Sequence, residues 1–339
     1  MRHVNIPIFI PHLGCPNNCV FCNQRSISGH EEFNISSVRE EIEAVLSTAR
    51  ADDVCEIAFF GGSFTGIDRG LMTELLDIAE EYVAAKRVVC IRLSTRPDYI
   101  SEEILDILSR YSVRTIELGL QSMCDEVLEA SKRGHSAECA ENACKMIKER
   151  GFSLIGQMMI GLPASDVEKE EYTARKICEL GADGARIYPT VVFYDTELCD
   201  IARAGAYTPL ATEDAVARTA RVLDIFEREG VPAIRVGLCA SDNLSDASKV
   251  YGGASDAAIG EMAMNELYFS RICREIDGRF VGDTKGKILT VYVKIGNISK
   301  AVGQKKKNKV KLMQKYGFSG VKVLEKSSIL GYNILLSIN

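Results

Sequence analysis

The sequence predicts an α/β protein: a partial (β/α)6 TIM-like barrel followed by a small C-terminal α+β unit. Short apolar runs alternate with segments of helical periodicity for more than two hundred residues. Such alternation is typical of repeated βα units and a mainly parallel sheet. The alternation then falters in a stretch rich in Gly, Ser and Asp at 239–260, and a helical piece and a lysine-rich segment follow it.

The strands of the barrel are predicted from apolar runs, at 6–10, 54–60, 89–94, 114–120, 152–160 and 184–190. The helices between and after them are predicted from a period near 3.6, at 38–49, 67–86, 101–111, 136–150, 166–180 and 212–229. Ser37, with Glu40 three residues later, predicts a capping box at the start of the first helix. Because a helix follows each strand, we expect right-handed crossovers.

The C-terminal unit begins after a helical piece that runs to Ile276. We expect a strand at 287–295, one lysine-studded helix at 299–317, and two more strands at 320–325 and 329–338. The predicted organisation is a core barrel at 1–238, a linker and helix at 239–276, and a basic domain at 277–339.

Composition and charge narrow the classes of protein that fit. With 46% hydrophobic and 26% charged residues, a chain of 339 residues is expected to be globular. The N-terminus lacks a signal-peptide pattern and no run of about 18 apolar residues occurs, so we expect a cytoplasmic protein without a membrane partner. Nine of the twelve cysteines are scattered, which predicts reduced thiols that pack as small core residues.

Cys15, Cys19 and Cys22 form a C-x3-C-x2-C group in a loop directly after the first predicted strand. Structural zinc prefers four ligands, so zinc would need His12 or His30 as the fourth. Three unligated thiols are a further alternative. An iron–sulfur cluster fits better, because thiolates hold such clusters and three protein ligands leave one iron open for a substrate or cofactor.

With Phe21 as an aromatic residue before the last cysteine, the loop resembles the C-x3-C-x-aromatic-C signature of the radical SAM superfamily. The resemblance implies that the three cysteines bind a [4Fe–4S] cluster. It also implies that S-adenosylmethionine chelates the open iron and is reductively cleaved to a 5′-deoxyadenosyl radical, which abstracts hydrogen from a substrate. An electron donor of flavodoxin or ferredoxin type is implied as a partner.

Later segments extend the resemblance to residues 6–238. In order they are "FFGGSFTG", "LSTRPDYI", "ELGLQSMCDEVLEASKRGH", "GQMMIGLP" and "ARIYPTVVFYDTEL". Their order and spacing are similar to the Elongator-subunit-3-like branch, with a more distant likeness to oxygen-independent coproporphyrinogen oxidase. The acetyltransferase domain of the Elongator-like proteins is not expected in this sequence.

The resemblance also implies which residues hold S-adenosylmethionine. They lie near the ends of the predicted strands: Phe21, Gly61, Gly62, Ser63, Ser94, Gln121, Arg133, Gln157 and Tyr188. The two glycines would let the ligand approach the main chain closely, and an arginine fork suits a carboxylate. Arg96 is an alternative to Ser94, and Gln157 stands where the coproporphyrinogen-oxidase branch has an aspartate.

No catalytic side chain is assigned from the sequence, and two residues are left with open roles. Glu117, in an apolar strand, would be costly to bury unpaired, so it either faces the site or pairs with an interior arginine such as Arg92. His135 is either an acid–base group or a residue of the loop before a helix.

The C-terminal unit is strongly basic. From Gly278 onward, twelve Lys and one Arg stand against Asp283 and Glu325, a balance of +11, which leaves −17 on the preceding residues. Seven lysines form a basic stretch: Lys300, Lys305, Lys306, Lys307, Lys309, Lys311 and Lys315. Such a stretch predicts an RNA partner, tRNA by resemblance, or else a solvated helix face.

The sequence therefore favours a radical S-adenosylmethionine enzyme, with tRNA as its candidate substrate. One alternative is a tetrapyrrole-pathway enzyme related to coproporphyrinogen oxidase. Another is a zinc-stabilised RNA-binding protein without catalysis. Metal content separates the last of these from the first two.

Overall fold

The computed structural model describes residues 2–10, 13, 15, 19–23, 33–238, 244, 246, 248–279 and 284–339. The strands of this part, β1 to β12, are His3–Ile10, Val54–Gly61, Ile91–Thr95, Val113–Gln121, Ser153–Ile160, Gly184–Pro189, Val191–Phe193, Ala233–Val236, Val250–Gly253, Ile288–Val293, Gly320–Glu325 and Leu335–Ile338. The α-helices, α1 to α11, are Val38–Thr48, Arg69–Ala84, Glu102–Leu108, Asp125–Ala130, Ala137–Glu149, Val167–Glu179, Glu197–Arg203, Thr212–Glu229, Ile259–Arg279, Ile298–Val302 and Lys307–Tyr316.

Seven parallel strands form the main sheet, in the order β1-β2-β3-β4-β5-β6-β8. Each neighbour in the sheet is also the next barrel strand along the chain, and α-helices lie between them, as a partial TIM barrel requires. The six predicted strands are confirmed. The short β8, which the sequence did not predict, adds a seventh at the open edge.

Side chains alternate between the two faces of this sheet. In β4, Ile116, Leu118 and Leu120 are at most 1% exposed and belong to the main hydrophobic core. Glu117, Gly119 and Gln121 lie on the opposite, inner face, since successive side chains of a strand point to opposite sides. The inner face is therefore where polar groups collect.

The start of α1 differs from the prediction. A short 3-10 turn at Ile35–Ser37 precedes the helix, and the Asn34 side chain accepts a hydrogen bond from the Ser36 amide. Ser37 makes no side-chain cap; its hydroxyl donates to Glu41 instead. The predicted capping box is therefore wrong, because an Asn earlier in the chain already caps the turn.

The C-terminal unit is a three-stranded sheet in the order β11-β10-β12, with β10 and β11 parallel and β12 antiparallel. The predicted single helix at 299–317 is two helices, α10 and α11, separated by a break at 303–306. The last predicted strand is shorter than expected and begins only at Leu335.

The long helix α9 contributes to two cores. Ala263 and Leu267 pack into the core of the main sheet, whereas Tyr268, Ile272 and Ile276 pack against the C-terminal sheet. The predicted boundary at 276 stays a prediction.

Among the described scattered cysteines, five are buried: Cys55, Cys90, Cys144, Cys199 and Cys273. Burial raises the pKa of Cys144 to about 12, as expected for an inert core thiol. Cys239 lies outside the described residues. In the described chain, no helix combines the length and the apolarity that a membrane span needs.

Candidate active site

The loop of the cysteine triplet follows β1 and is tied to two other loops. The Val20 amide donates to the Ser131 carbonyl over 3.2 Å, and the Leu198 amide donates to the Val20 carbonyl over 2.8 Å. Phe21 packs against a small buried cluster that includes Val192. These contacts hold residues 19–22 against the segments that follow β4 and β7.

Cys19 is buried next to two guanidinium groups. Its Sγ lies 3.2 Å from Arg133 Nη1 and 3.8 Å from Arg96 Nη1. Both arginines are almost fully buried, at 6% and 3% exposed. Arg96 is fixed by two bonds to Asp98, each 2.9 Å, and it also donates to the Arg133 carbonyl. Positive charge therefore surrounds the sulfur of Cys19.

Cys15 lies beside the Gly61-Gly62-Ser63 turn at the end of β2. Its Sγ is 3.3 Å from Ser63 Oγ. Gly61 has a φ of +106°, and a Cβ atom on Gly62 would lie 2.2 Å from the Leu13 carbonyl oxygen. The glycines are thus required by the chain's own backbone, which crosses here on its way to Cys15. A ligand contact at this turn stays a prediction.

The third cysteine, Cys22, donates its amide to the Cys19 carbonyl over 3.0 Å. Within the described ranges, no group of three or more His, Cys, Asp or Glu side chains lies close enough to hold a metal ion. His12 and His30, the alternative zinc ligands, fall outside those ranges. The structure brings the described cysteines to one end of the sheet without arranging them as a completed ligand set.

Arg133 and Gln121 meet at the end of β4. A tight turn with left-handed Lys132 and Gly134 aims Arg133 back at the strand, where its Nη2 donates to the Gly119 carbonyl over 2.6 Å. Gln121 itself has a φ of +67°, an uncommon conformation for a residue other than glycine that is often found at functional sites. Its buried Oε1 has no hydrogen-bond partner in the described structure. An acceptor is therefore left open beside the arginine.

His135 is buried behind Arg133. Its Nδ1 lies 3.3 Å from the Ser136 carbonyl, and its Nε2 has no partner among the described residues. Burial, followed by the charge of Arg133, lowers the pKa of His135 to about 4. The imidazole is therefore neutral near pH 7 and cannot donate a proton as an imidazolium there.

We expect an NMR titration to show His135 still neutral at pH 5.5, identified by the signal that His135→Gln removes. The pKa of His135 in the folded protein lies below the usual 6.5. The contribution of the neutral imidazole to the free energy of unfolding is therefore complete above pH 6.5 and is lost as pH falls through about 4. His135→Gln should flatten the stability profile in that window. A titration midpoint near 6.5 would contradict the burial argument.

Glu117 pairs with interior arginines, so of its two open roles the structure supports the pairing. It is fully buried and lies 2.9 Å from Arg92 Nη1 and 2.7 Å from Arg186 Nε. Arg92 also bonds Glu56 over 2.7 Å. Gln157 donates to the second Glu117 oxygen over 3.0 Å. A continuous charged network thus crosses the inner face of β2 to β6.

Ser94 and Tyr188 lie on the same inner face, nearer the carboxyl ends of their strands. Ser94 is half-buried and follows Arg92 by two positions. The Tyr188 hydroxyl lies 3.5 Å from Arg186 Nη1, and burial raises its pKa. A ligand contact at Ser94 or Tyr188 stays a prediction.

Sequence reasoning missed the residues that shape the Gly161 turn. Glu170 accepts from the Gly161 amide over 2.7 Å and pairs with Arg218 over 3.1 Å, and Tyr207 donates to the Gly161 carbonyl over 2.7 Å. Glu170 is 2% exposed although it lies in a charged helical segment. Its sequence neighbours Glu168 and Glu171 give no sign that it differs from them.

The thiols, the buried arginine and the amide oxygen at this end of the sheet suit the two cofactors that the resemblance implies. Thiols are the usual ligands of iron–sulfur clusters. A buried arginine and an unpartnered amide oxygen beside them suit a carboxylate and a hydroxyl, respectively. The described side chains are therefore chemically compatible with a cluster and S-adenosylmethionine at this end of the sheet.

Two family models match the chain. The radical SAM superfamily matches residues 9–177, and the radical SAM C-terminal domain matches residues 182–268. Among solved structures, the fold is similar to Elp3 of the archaeon Methanocaldococcus infernus, with 20% identity, a TM-score of 0.60, and coverage of 79% of this chain and 67% of that one. It is also similar to coproporphyrinogen III oxidase of Escherichia coli, with 16% identity, a TM-score of 0.50, and coverage of 68% and 53%.

Curated relatives include Elongator complex protein 3 of Schizosaccharomyces pombe, which is 26% identical over 80% of this chain and 57% of that protein. A tRNA uridine(34) acetyltransferase of Methanocaldococcus jannaschii is 27% identical over 60% of this chain and 45% of that protein. The chain thus spans about half the length of these relatives. Because the two family models follow one another along the chain and together match residues 9–177 and 182–268, the chain belongs to the radical SAM superfamily of enzymes.

Proposed function

We propose that this enzyme cleaves S-adenosylmethionine reductively and acts on RNA, with tRNA as the substrate class. The proposal depends most on one observation, the burial of Cys19 against Arg133 and Arg96 at the carboxyl end of the sheet. Cys15, Cys19 and Cys22 would be the ligands of a [4Fe–4S] cluster. An electron donor of flavodoxin or ferredoxin type would reduce it.

The cluster and S-adenosylmethionine together supply a 5′-deoxyadenosyl radical able to remove hydrogen from a carbon. The protein's part is to bind and orient. Arg133 would pair with the methionine carboxylate and Gln121 would accept from a ribose hydroxyl. The turn at Gly61, Gly62 and Ser63 would meet the amino group.

The remaining predicted contacts would surround the adenosine. They are Ser94, Gln157, Tyr188 and Phe21, the last of which lies in the cysteine loop itself. Since the Gln157 amide nitrogen donates to Glu117, its carbonyl oxygen is the acceptor that a ribose hydroxyl would use. The interior charge network holds Gln157 through Glu117 and contacts the Tyr188 hydroxyl through Arg186.

The RNA part of the proposal has two supports. Relatives include a tRNA uridine(34) acetyltransferase. In addition, the basic C-terminal unit, at +11, stands beside a body at −17, which favours phosphate binding at one place only. Acetyl transfer is not proposed, and among the described residues no specific contact supports the tetrapyrrole or the zinc-only alternative.

Anaerobic reconstitution tests the proposal. With iron, sulfide, a strong reductant and S-adenosylmethionine, the protein should turn brown and form 5′-deoxyadenosine. Comparison of modified tRNA nucleosides in cells with and without the gene should then reveal a lost modification. A colourless protein that holds about one zinc would overturn the radical reaction, and an unchanged nucleoside profile would overturn the tRNA substrate.

Arg133→Lys is expected to weaken S-adenosylmethionine binding by roughly tenfold or more, because a lysine offers a point charge where the arginine offers a fork of donors. Equilibrium binding to the reconstituted enzyme measures the change. Arg39→Lys, at an exposed pair with Glu81, is the matched control. Equal affinities in the two variants would rule out Arg133 as the carboxylate partner.

A further inference from the structure

The break between α10 and α11 is a rigid turn that carries lysines. Gly303, Lys305 and Lys306 all have positive φ values, of +76°, +51° and +62°. Below the turn, the buried Asn308 donates through Nδ2 to the Ala301 carbonyl over 3.1 Å and to the Asn265 carbonyl over 2.7 Å. The turn is thus fixed to α9 and α10 from inside.

Only some of the lysines of this region are paired with a carboxylate. Lys311 pairs with Glu266 over 3.3 Å and lies over the Phe269 ring, and Lys315 pairs with Asp277 over 3.6 Å. Lys300 makes no ion pair with the described residues and lies over the Tyr332 ring. Four others also have no carboxylate partner in the described part of the chain: Lys305, Lys306, Lys307 and Lys309. The first three of these are exposed. The unneutralised charge is therefore concentrated at the turn and the first helical turn after it.

The order of the elements around the turn is similar to that of one class of RNA-binding module. β10, α10, the turn, α11 and β11 follow one another, and β10 and β11 are parallel neighbours. RNA-binding modules of the KH class place a G-x-x-G loop between two helices and clamp about four nucleotides by their backbone. Here the loop is Gly303-Gln304-Lys305-Lys306, and Lys306 adopts the left-handed conformation that a second glycine would have.

We propose that the turn at 303–306, with Lys307 and Lys309, clamps the sugar–phosphate backbone of a single-stranded segment of the RNA substrate. This inference rests on the proposed function, and it assigns RNA recognition to one turn. Because no aromatic side chain lies in 299–315 to stack on bases, the contact is to phosphates and carries little sequence preference.

The test compares two double variants of the full-length, reconstituted enzyme. Lys305→Gln with Lys306→Gln removes two charges at the turn. Lys287→Gln with Lys322→Gln removes two exposed charges elsewhere in the same unit and is the matched control. Binding of a single-stranded RNA oligonucleotide and of a tRNA transcript is measured by fluorescence anisotropy at several salt concentrations.

The turn variant should bind both RNAs roughly tenfold more weakly, and the slope of log K against log salt should fall by about 1.5. The control should match the wild type. Equal losses of RNA affinity in both variants, or unchanged RNA affinity in the turn variant, would overturn the inference. It would also be overturned if the wild-type protein bound phosphatidylserine vesicles but not RNA.

The turn variant is also expected to form 5′-deoxyadenosine at the wild-type rate when no RNA is present. That readout separates the two proposals. Normal 5′-deoxyadenosine formation with undiminished RNA binding refutes the clamp alone, whereas absent 5′-deoxyadenosine in the wild type refutes the proposed reaction.

Discussion

Cys19→Ser is expected to reduce 5′-deoxyadenosine formation to background and to lower the iron content of the reconstituted protein sharply. Serine is a poor ligand for iron–sulfur clusters, which thiolates hold. Cys19 is also the cysteine whose sulfur contacts two buried arginines, so the substitution would replace that sulfur with a neutral hydroxyl beside Arg133, while Arg96 would keep its pair with Asp98. Iron and sulfide analysis, visible absorbance and product chromatography measure the effect.

Cys178→Ser is the matched control for this variant. Cys178 is half-buried on α6, and no hydrogen bond to the described site residues involves its thiol. It should retain the cluster and the activity. Full activity in Cys19→Ser, or equal losses in both variants, would contradict the assignment of the cluster ligands.

Glu117→Ala is expected to lower the free energy of unfolding by about 3–5 kcal/mol, since removing one partner of a buried ion pair leaves an uncompensated charge. Arg92 would keep Glu56, but Arg186, 12% exposed, would lose its carboxylate. Urea denaturation at pH 7 measures the change.

The comparison for Glu117→Ala is Glu81→Ala, which breaks the pair with Arg39 at the surface. Both of those side chains are about half exposed, at 59% and 49%, so the loss should be under about 1 kcal/mol. Adding Arg186→Met to Glu117→Ala should restore part of the stability by removing the orphaned charge. Similar losses in the two single variants would mean that the interior network is solvated.

Much of the barrel could be predicted because its strands are continuous apolar runs separated by amphipathic helices. β8 could not, because only Ala233–Val236 forms the strand and it lies just before a polar, glycine-rich stretch. The break after α10 was also missed. Lysine favours helices, and only the tertiary contacts of Asn308 reveal why the chain turns at Lys305 and Lys306.

The candidate site also contains some features that the sequence predicts and others that it does not. The cysteine spacing and the arginine after a turn could be read from the sequence, because local patterns carry them. The reason why position 62 requires glycine could not be read from the sequence. The atom that would clash with a side chain there is the carbonyl oxygen of Leu13, which is distant in the sequence. Nor could the role of Glu117 be settled, because its partners come from β3 and β6 and only the sheet register brings them together.

Helix α9 has a geometrical consequence for the reaction. Its N-terminal half is part of the barrel's core and its C-terminal half is part of the core beneath the lysine turn, while Arg271 and Arg274 fasten it to Asp224 of α8 over 2.7 and 3.2 Å. One continuous helix therefore joins the core of the main sheet to the core beneath the turn at 303–306. If the enzyme acts on RNA as proposed, an RNA held at the turn would be anchored to the same helix that packs into the barrel, so its binding point would keep a constant position relative to the sheet.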